Sequence, residues 1–303
     1  MFDYLNAGLA AARRKPGTIL LVWALQALVA FIVVWPLAGA FAELQSSGFD
    51  RKMARSADIT VLIDLSDDIL AALRVSALNL LWAIPLAGII RAVTAVGIIN
   101  SVRDGGLRSF WDGVGRFGGK AILLALPYLA LALVVQSVLQ IPFIVAVGAA
   151  GEKASVLMAL IAWPVGMMLV GAITDCMQDY SQIELVTRGR GVMKSLGAGL
   201  LWPFRHPTAL ALYALWMVVA IAITVSPLVL ENLLPAATAA GIVLLLVLQQ
   251  FMMIVRAGVT VAWYGSETVY HESRVSAEEP LIAEEPLIAD APEPFGTGPE
   301  VHP

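Results

Sequence analysis

Residues 188–227 read RGRGVMKSLGAGLLWPFRHPTALALYALWMVVAIAITVSP. A basic, glycine-dotted stub opens the stretch and runs through Leu196 to Gly199. A hinge follows at Arg205-His206-Pro207, and an uncharged apolar run then closes on Ser226-Pro227. The N-terminus repeats the plan, with Arg13-Arg14-Lys15-Pro16 as the hinge and Trp35-Pro36 in the run beyond it. Setting Pro16 on Pro207 brings Leu5, Gly8, Leu9 and Arg14 onto Leu196, Gly199, Leu200 and Arg205. A looser third copy spans Phe110 to Lys120 and leads into a run carrying Ile141-Pro142. The pattern predicts three copies of one helical unit.

Composition says what solvent those units meet. The 303 residues are 59% hydrophobic and 14% charged, with a mean hydropathy of +0.82. Soluble domains carry charge on about a quarter of their residues, so a water-facing coat is excluded. Crossing the hydrocarbon takes about 20 apolar residues in a helix. Lys15 to Glu43 encloses 27 uncharged residues, Lys120 to Glu152 31, Lys153 to Asp175 21, Arg205 to Glu231 25 and Glu231 to Arg256 24. Arg74 to Arg91 encloses 16 and continues apolar to Ile99. The expected fold is therefore all-α: six transmembrane helices arranged as three pseudo-repeated hairpins, with short interfacial helices on the cytoplasmic side. The first run follows a basic triplet, as a signal peptide does, but exceeds the 7–15 residues of a signal's apolar core. It is expected to be a retained span.

The expected domain covers 1–272, with units of about 1–100, 101–187 and 188–272. An amphipathic extracytoplasmic loop spans 43–73, and its Ser66-Asp67-Asp68 reads as a helix start with acids in the first turn. Residues 273–303 hold six of the sixteen prolines and the tandem hexamers Glu278–Ala283 and Glu284–Ala289. An acidic, disordered tail is expected there, able to dock a protein partner. With both termini inside, fourteen Lys and Arg residues lie on the inner side against five outside. That asymmetry predicts cytoplasmic termini and an inner-membrane location. Seven acids in the last 26 residues account for the net charge of −4. The rest is slightly basic, which suits anionic lipid headgroups as partners and gives no sign of nucleic acid.

Few residues carry candidate chemistry. Gly113-Val114-Gly115-Arg116-Phe117-Gly118 matches a dinucleotide fingerprint, which needs a strand before it and a helix after it. Between membrane helices it is expected to be an interfacial hinge. Asp175 and Asp179 stand at i, i+4 and share a helix face, the geometry that would hold Mg²⁺ against a lipid diphosphate. No second acidic pair matches their depth, so they are expected to balance nearby basic residues. Arg91-Ala92 and Arg256-Ala257 occupy equivalent places, and a charge within a span is a functional candidate. Snorkelling to the headgroups is the plainer role for both. With Asp175, these arginines are the candidate lipid or substrate contacts. Gln136, Gln140, Gln249 and Gln250, with Gln26, are span-embedded amides suited to a polar path or to interhelical hydrogen bonds. The lone Cys176 and the scattered His206, His271 and His302 form no ligand set. No catalytic residue and no cofactor follow from the sequence.

The hinges Arg13-Arg14-Lys15-Pro16-Gly17 and Trp202 to Pro207, with Ser47-Gly48-Phe49-Asp50 and Phe110 to Gly119, carry a resemblance. Over residues 1–270 the chain resembles a broad set of functionally unassigned six-pass bacterial membrane proteins. It is similar in style to the membrane domain attached to some glycerophosphodiester phosphodiesterases. The resemblance implies the fold; no phosphodiesterase domain is fused, so it implies no activity. The expected function is a non-enzymatic scaffold or accessory subunit of a membrane assembly. The alternatives are a carrier for a lipid or other amphiphile and an intramembrane lipid-phosphate enzyme.

Overall fold

The computed structural model describes residues 1–46, 66–149, 163–233 and 239–283, and they are helical throughout apart from short connections. The helices are α1 (Phe2–Arg13), α2 (Pro16–Ser46), α3 (Ser66–Asn100), α4 (Gly106–Ala149), α5 (Trp163–Arg188), α6 (Val192–Arg205), α7 (Pro207–Leu233) and α8 (Ala239–Ala283). A π-helical turn, Ser101–Gly105, joins α3 to α4. Four stretches are long and apolar enough to cross a membrane: Pro16–Trp35, Pro85–Phe143, Pro207–Pro227 and Ala240–Ala277. The second folds back on itself, because Gly105 and Gly106 take φ of +97° and +84°, which reverses the chain. Large apolar side chains such as Phe31, Val134, Ile141, Val247 and Phe251 lie exposed on the long helices. A bilayer tolerates that surface and water does not.

Proline decides where a stub ends. Pro16 and Pro207 have no N–H to give the preceding turn, so each starts a new helix at its first position. α1 closes with Lys15 N–H donating to Ala12 O at 3.0 Å, and α6 with His206 N–H donating to Trp202 O at 2.9 Å. At Lys120-Ala121 no proline interrupts, and α4 passes unbroken from stub into apolar run. The hinge expected at 113–118 is therefore helix, and the fingerprint has no strand before it among the described residues. At the other end α8 continues to Ala283, past the tail boundary expected at 272. Residues 284–303, most of loop 43–73 and the turn at Gly151 lie outside the described residues.

Three close contacts hold the bundle. A Cβ on Gly8 of α1 would strike Ala262 O and Ser266 of α8. One on Gly113 of α4 would strike Val96 O and Asn100 of α3. One on Gly199 of α6 would strike Met177 O and Ser181 of α5. Each glycine thus lies on a carbonyl and on the side chain one turn later. Backbones this close gain dispersion where no hydrophobic drive operates between helices. Each partner residue or its neighbour is also held from a second helix. Thr18 shares a 2.9 Å hydrogen bond with Ser101, Tyr128 one of 2.6 Å with Ser181, and the Trp216 indole donates to Ser266 Oγ at 2.6 Å.

Gly199 and Gly197 separate packing from propensity, since a Cβ at Gly197 meets nothing within 4 Å. Gly199→Ala is expected to destabilise by about 1–3 kcal/mol through overpacking. Gly197→Ala is expected to stabilise by up to about 1 kcal/mol through helix propensity. Thermal unfolding in mild detergent reads both; equal shifts would remove the close-packing account.

Candidate functional site: a charged cavity between five helices

Asp175 and Asp179 share a face of α5, as their spacing requires. That face turns toward Arg91 on α3. Arg91 Nη1 donates to Asp175 Oδ2 at 2.5 Å, and Nη2 donates to Asp179 Oδ1 at 3.3 Å. The Tyr264 hydroxyl on α8 donates to the same Asp179 oxygen at 3.0 Å. The Asp179 side chain is only 2% exposed, whereas Arg91 and Asp175 are 40% exposed toward an open space. A buried carboxylate is costly unless paired, and one guanidinium and one phenol supply its partners here.

The open space is a cavity of about 730 Å³ bounded by α2, α3, α5, α7 and α8. Arg91, Asp175, Asp179, Arg256, Tyr264 and Gln26 reach its wall. Arg256 is exposed and makes no ion pair among the described residues. At about 1.5 Å per residue, Arg91 stands ~14 Å along its helix from Asn100, and Arg256 ~15 Å from Ser266. Gln26 stands ~12 Å from Thr18 by the same measure. The three therefore share a level, well beyond an arginine's reach of the glycine contacts. Snorkelling toward the stub side, expected for both arginines, is not what Arg91 does: it turns inward to two carboxylates. Beyond that level the wall becomes apolar, with Val33, Ala87, Met168 and Met253. Sequence reasoning picked Arg91, Arg256, Asp175 and Asp179, and the fold brings all four to one cavity. Gln136, Gln140, Gln249 and Gln250 are not on its wall, and Gln140 and Gln250 are exposed elsewhere. Asp175 and Asp179 are both engaged by Arg91, the charge balance their position implied.

A second polar cluster closes the stub side. Glu184 on α5 takes Arg190 at 2.6 Å, Arg188 at 3.8 Å and His271 Nε2 at 2.9 Å. Trp202 of α6 lies between His206, 4.2 Å away, and His271, 4.5 Å away, measured between ring centres. His206 and His271, scattered in sequence, thus meet on one indole, and His302 lies outside the described residues. Arg103 of the π-turn ties in, donating to Thr187 O at 3.1 Å and reaching Glu272 at 3.7 Å. Burial alone would push the Glu184 carboxyl up, but the His271 hydrogen bond and the charges of His271, Arg190 and Arg188 hold it below its ordinary 4.5. Tyr264, Glu267, Gln182 and Glu184 were not singled out from the sequence. Their signal was weak because each sits beyond the apolar run, where a polar residue ordinarily reads as solvated.

Replacing Arg91 by Met should cost about 3 kcal/mol, the lower end for a broken buried pair, since Asp175 remains partly solvated. Asp179→Asn in the same background should recover part of that loss; no recovery would mean that the unpaired carboxylate is not the cause. The lowered Glu184 carboxyl stabilises the fold fully above its ordinary value and loses that contribution as pH falls through the lower, folded one. Unfolding temperature should therefore hold from neutrality to about pH 5 and drop below it. Glu184→Gln should flatten that acid limb, and an unaltered limb would place the titration elsewhere.

Comparison with protein-family models, with curated proteins and with solved structures finds no match to this chain.

Proposed function

We propose that the chain is a membrane carrier, or binding protein, for an amphiphile with an anionic head, which it takes into the cavity between its helices. The observation that carries this is Arg256, a cation without an ion-pair partner among the described residues, on the wall of a large and mainly apolar space beside the Arg91 ion-pair cluster. Pockets that bind small molecules enclose roughly 300–1,000 Å³ with a few placed polar groups, and this cavity falls in that range. The head would meet Arg256 and Gln26, and the chain would lie along Val33, Ala87 and Met253. A cavity walled by both arginines is what the carrier alternative requires, so it displaces the solid scaffold as the preferred function.

The same proposal takes the architecture to be six spans in three units, with both termini in the cytoplasm and the body in the inner membrane. The three matched glycine contacts support the repeat: Gly8, Gly113 and Gly199 each meet a carbonyl and the residue four places on. They also suggest cyclic order, each stub packing on the closing helix of the preceding unit and α1 packing on α8. The excess of Lys and Arg on the stub side supports the orientation.

Native mass spectrometry of the full chain from mild detergent should show a retained anionic lipid or fatty amphiphile. Arg256→Glu should lower its occupancy by about tenfold, the effect of losing one charge-assisted hydrogen bond. Undiminished occupancy, or none in the unaltered protein, would overturn the proposal.

A further inference from the structure

Charge in the cavity sums to zero as long as both aspartates are ionised: Arg91 and Arg256 against Asp175 and Asp179. An anion entering this low-dielectric space would face two carboxylates that already hold Arg91. One proton on the pair changes that. It leaves Arg91 with one carboxylate partner and gives the cavity a net positive charge.

A line of side chains leads from that pair to the stub side. Tyr264, Glu267 and His271 follow one another at i, i+3 and i+7 on one face of α8. Tyr264 donates to Asp179, and His271 meets Glu184, whose partner Arg190 is part exposed. Glu267 lies between them, 0% exposed, and neither of its carboxyl oxygens has a hydrogen-bond partner among the described residues. The Trp263 indole, one turn before it on α8, is near without closing a hydrogen bond. His271 Nδ1 is likewise buried without a partner. On α5, Gln182 is one turn beyond Asp179, fully buried, with both amide atoms unpartnered. Buried polar groups are rarely left unpaired, and here several gather between a cavity and a surface. Titratable side chains inside membrane bundles are the usual parts of proton relays.

We infer that binding of an anion at the arginines is linked to uptake of a proton by the Asp175–Asp179 pair, delivered from the stub side through His271 and Glu267. The inference rests on the cavity being the binding site. The proton arrives on the His271–Glu184 pair and passes to Glu267. Tyr264 then gives its proton to Asp179 and takes one from Glu267. Only O–H and N–H bonds are exchanged, and no electron is transferred. Neighbours one turn apart are about 5–6 Å apart at Cβ, so rotamer changes can close each step. The groups acting on Asp179 come from the helices around it: Arg91 of α3, Tyr128 of α4, Tyr213 of α7, Tyr264 and Glu267 of α8, and Asp175, Cys176 and Tyr180 of its own helix. α2 contributes only the uncharged Gln26 to the polar wall. Arg91 is the sole cation among these groups, so a proton gained by the pair is balanced best by an incoming anion.

Decanesulfonate, an amphiphile whose head stays ionised across the working pH range, serves as the probe. The full chain in mild detergent and weak buffer is mixed with it while an indicator follows pH. Linkage requires about one proton taken up per anion bound. Asp179→Asn should bind the anion without taking up a proton, and that binding also reports a folded protein. Glu267→Gln should keep the stoichiometry and slow uptake by about a hundredfold, the scale of losing a positioned proton-transfer group. If that variant does not fold, His271→Gln reads the same rate. Binding by the unaltered protein without proton uptake overturns the linkage and leaves the carrier standing. Uptake at the unaltered rate in the Glu267 or His271 variant overturns the route. Absence of decanesulfonate binding overturns both the linkage and the carrier.

Discussion

Within a bilayer, lipid tails compete for apolar side chains on equal terms, so helices hold together through close backbone packing and hydrogen bonds between them. This chain meets that constraint at Gly8, Gly113 and Gly199, each seated on a carbonyl of the neighbouring helix. The hydrogen bonds of Thr18, Tyr128 and Trp216 fix the same level from a second side. With the helices clamped at one end, the charged level of the cavity lies ~12–15 Å farther along them. Arg91, Asp175 and Asp179 meet there because α3 and α5 are fixed in register below them. The charged site is a product of that clamp.

Much of the clamp could be read from sequence. Pro16 and Pro207 announce the breaks that free α1 and α6 as separate stubs, because a residue without an N–H cannot continue a helix. Aligning those prolines already placed Gly8 on Gly199, and both proved to be contact glycines. The third copy lacked the proline, and its stub fuses with the helix that follows. α3 is helical from Ser66, where the described residues resume. The far end of α8 ran against expectation, continuing past His271 to Ala283. Neither glycine nor proline occurs between Ser266 and Glu279, so nothing in that stretch stops a helix already under way.

The site was legible as a set of candidates and not as an arrangement. A charge within an apolar run marks itself, so Arg91, Arg256, Asp175 and Asp179 stood out. Arg91 meets its partners across separations of 84 and 88 residues, which no local pattern reports. Arg91 and Arg256 look alike in sequence, each followed by alanine near the end of a run. Their surroundings differ completely: one is held by two carboxylates and the other by none among the described residues. The glutamines depend on a second variable. Depth along a helix placed them in the bundle, but the helix face decides whether an amide meets this cavity, and of the five only Gln26 is on its wall.

The seat of α1 on α8 joins Gly8 to Ala262 and Ser266, which stand far apart along the chain. During synthesis, α1 leaves the ribosome long before Ala262 and Ser266 exist, so this seat stays empty until α8 has been made. A product stopped before α8 therefore keeps an unfilled seat along α1 at Gly8.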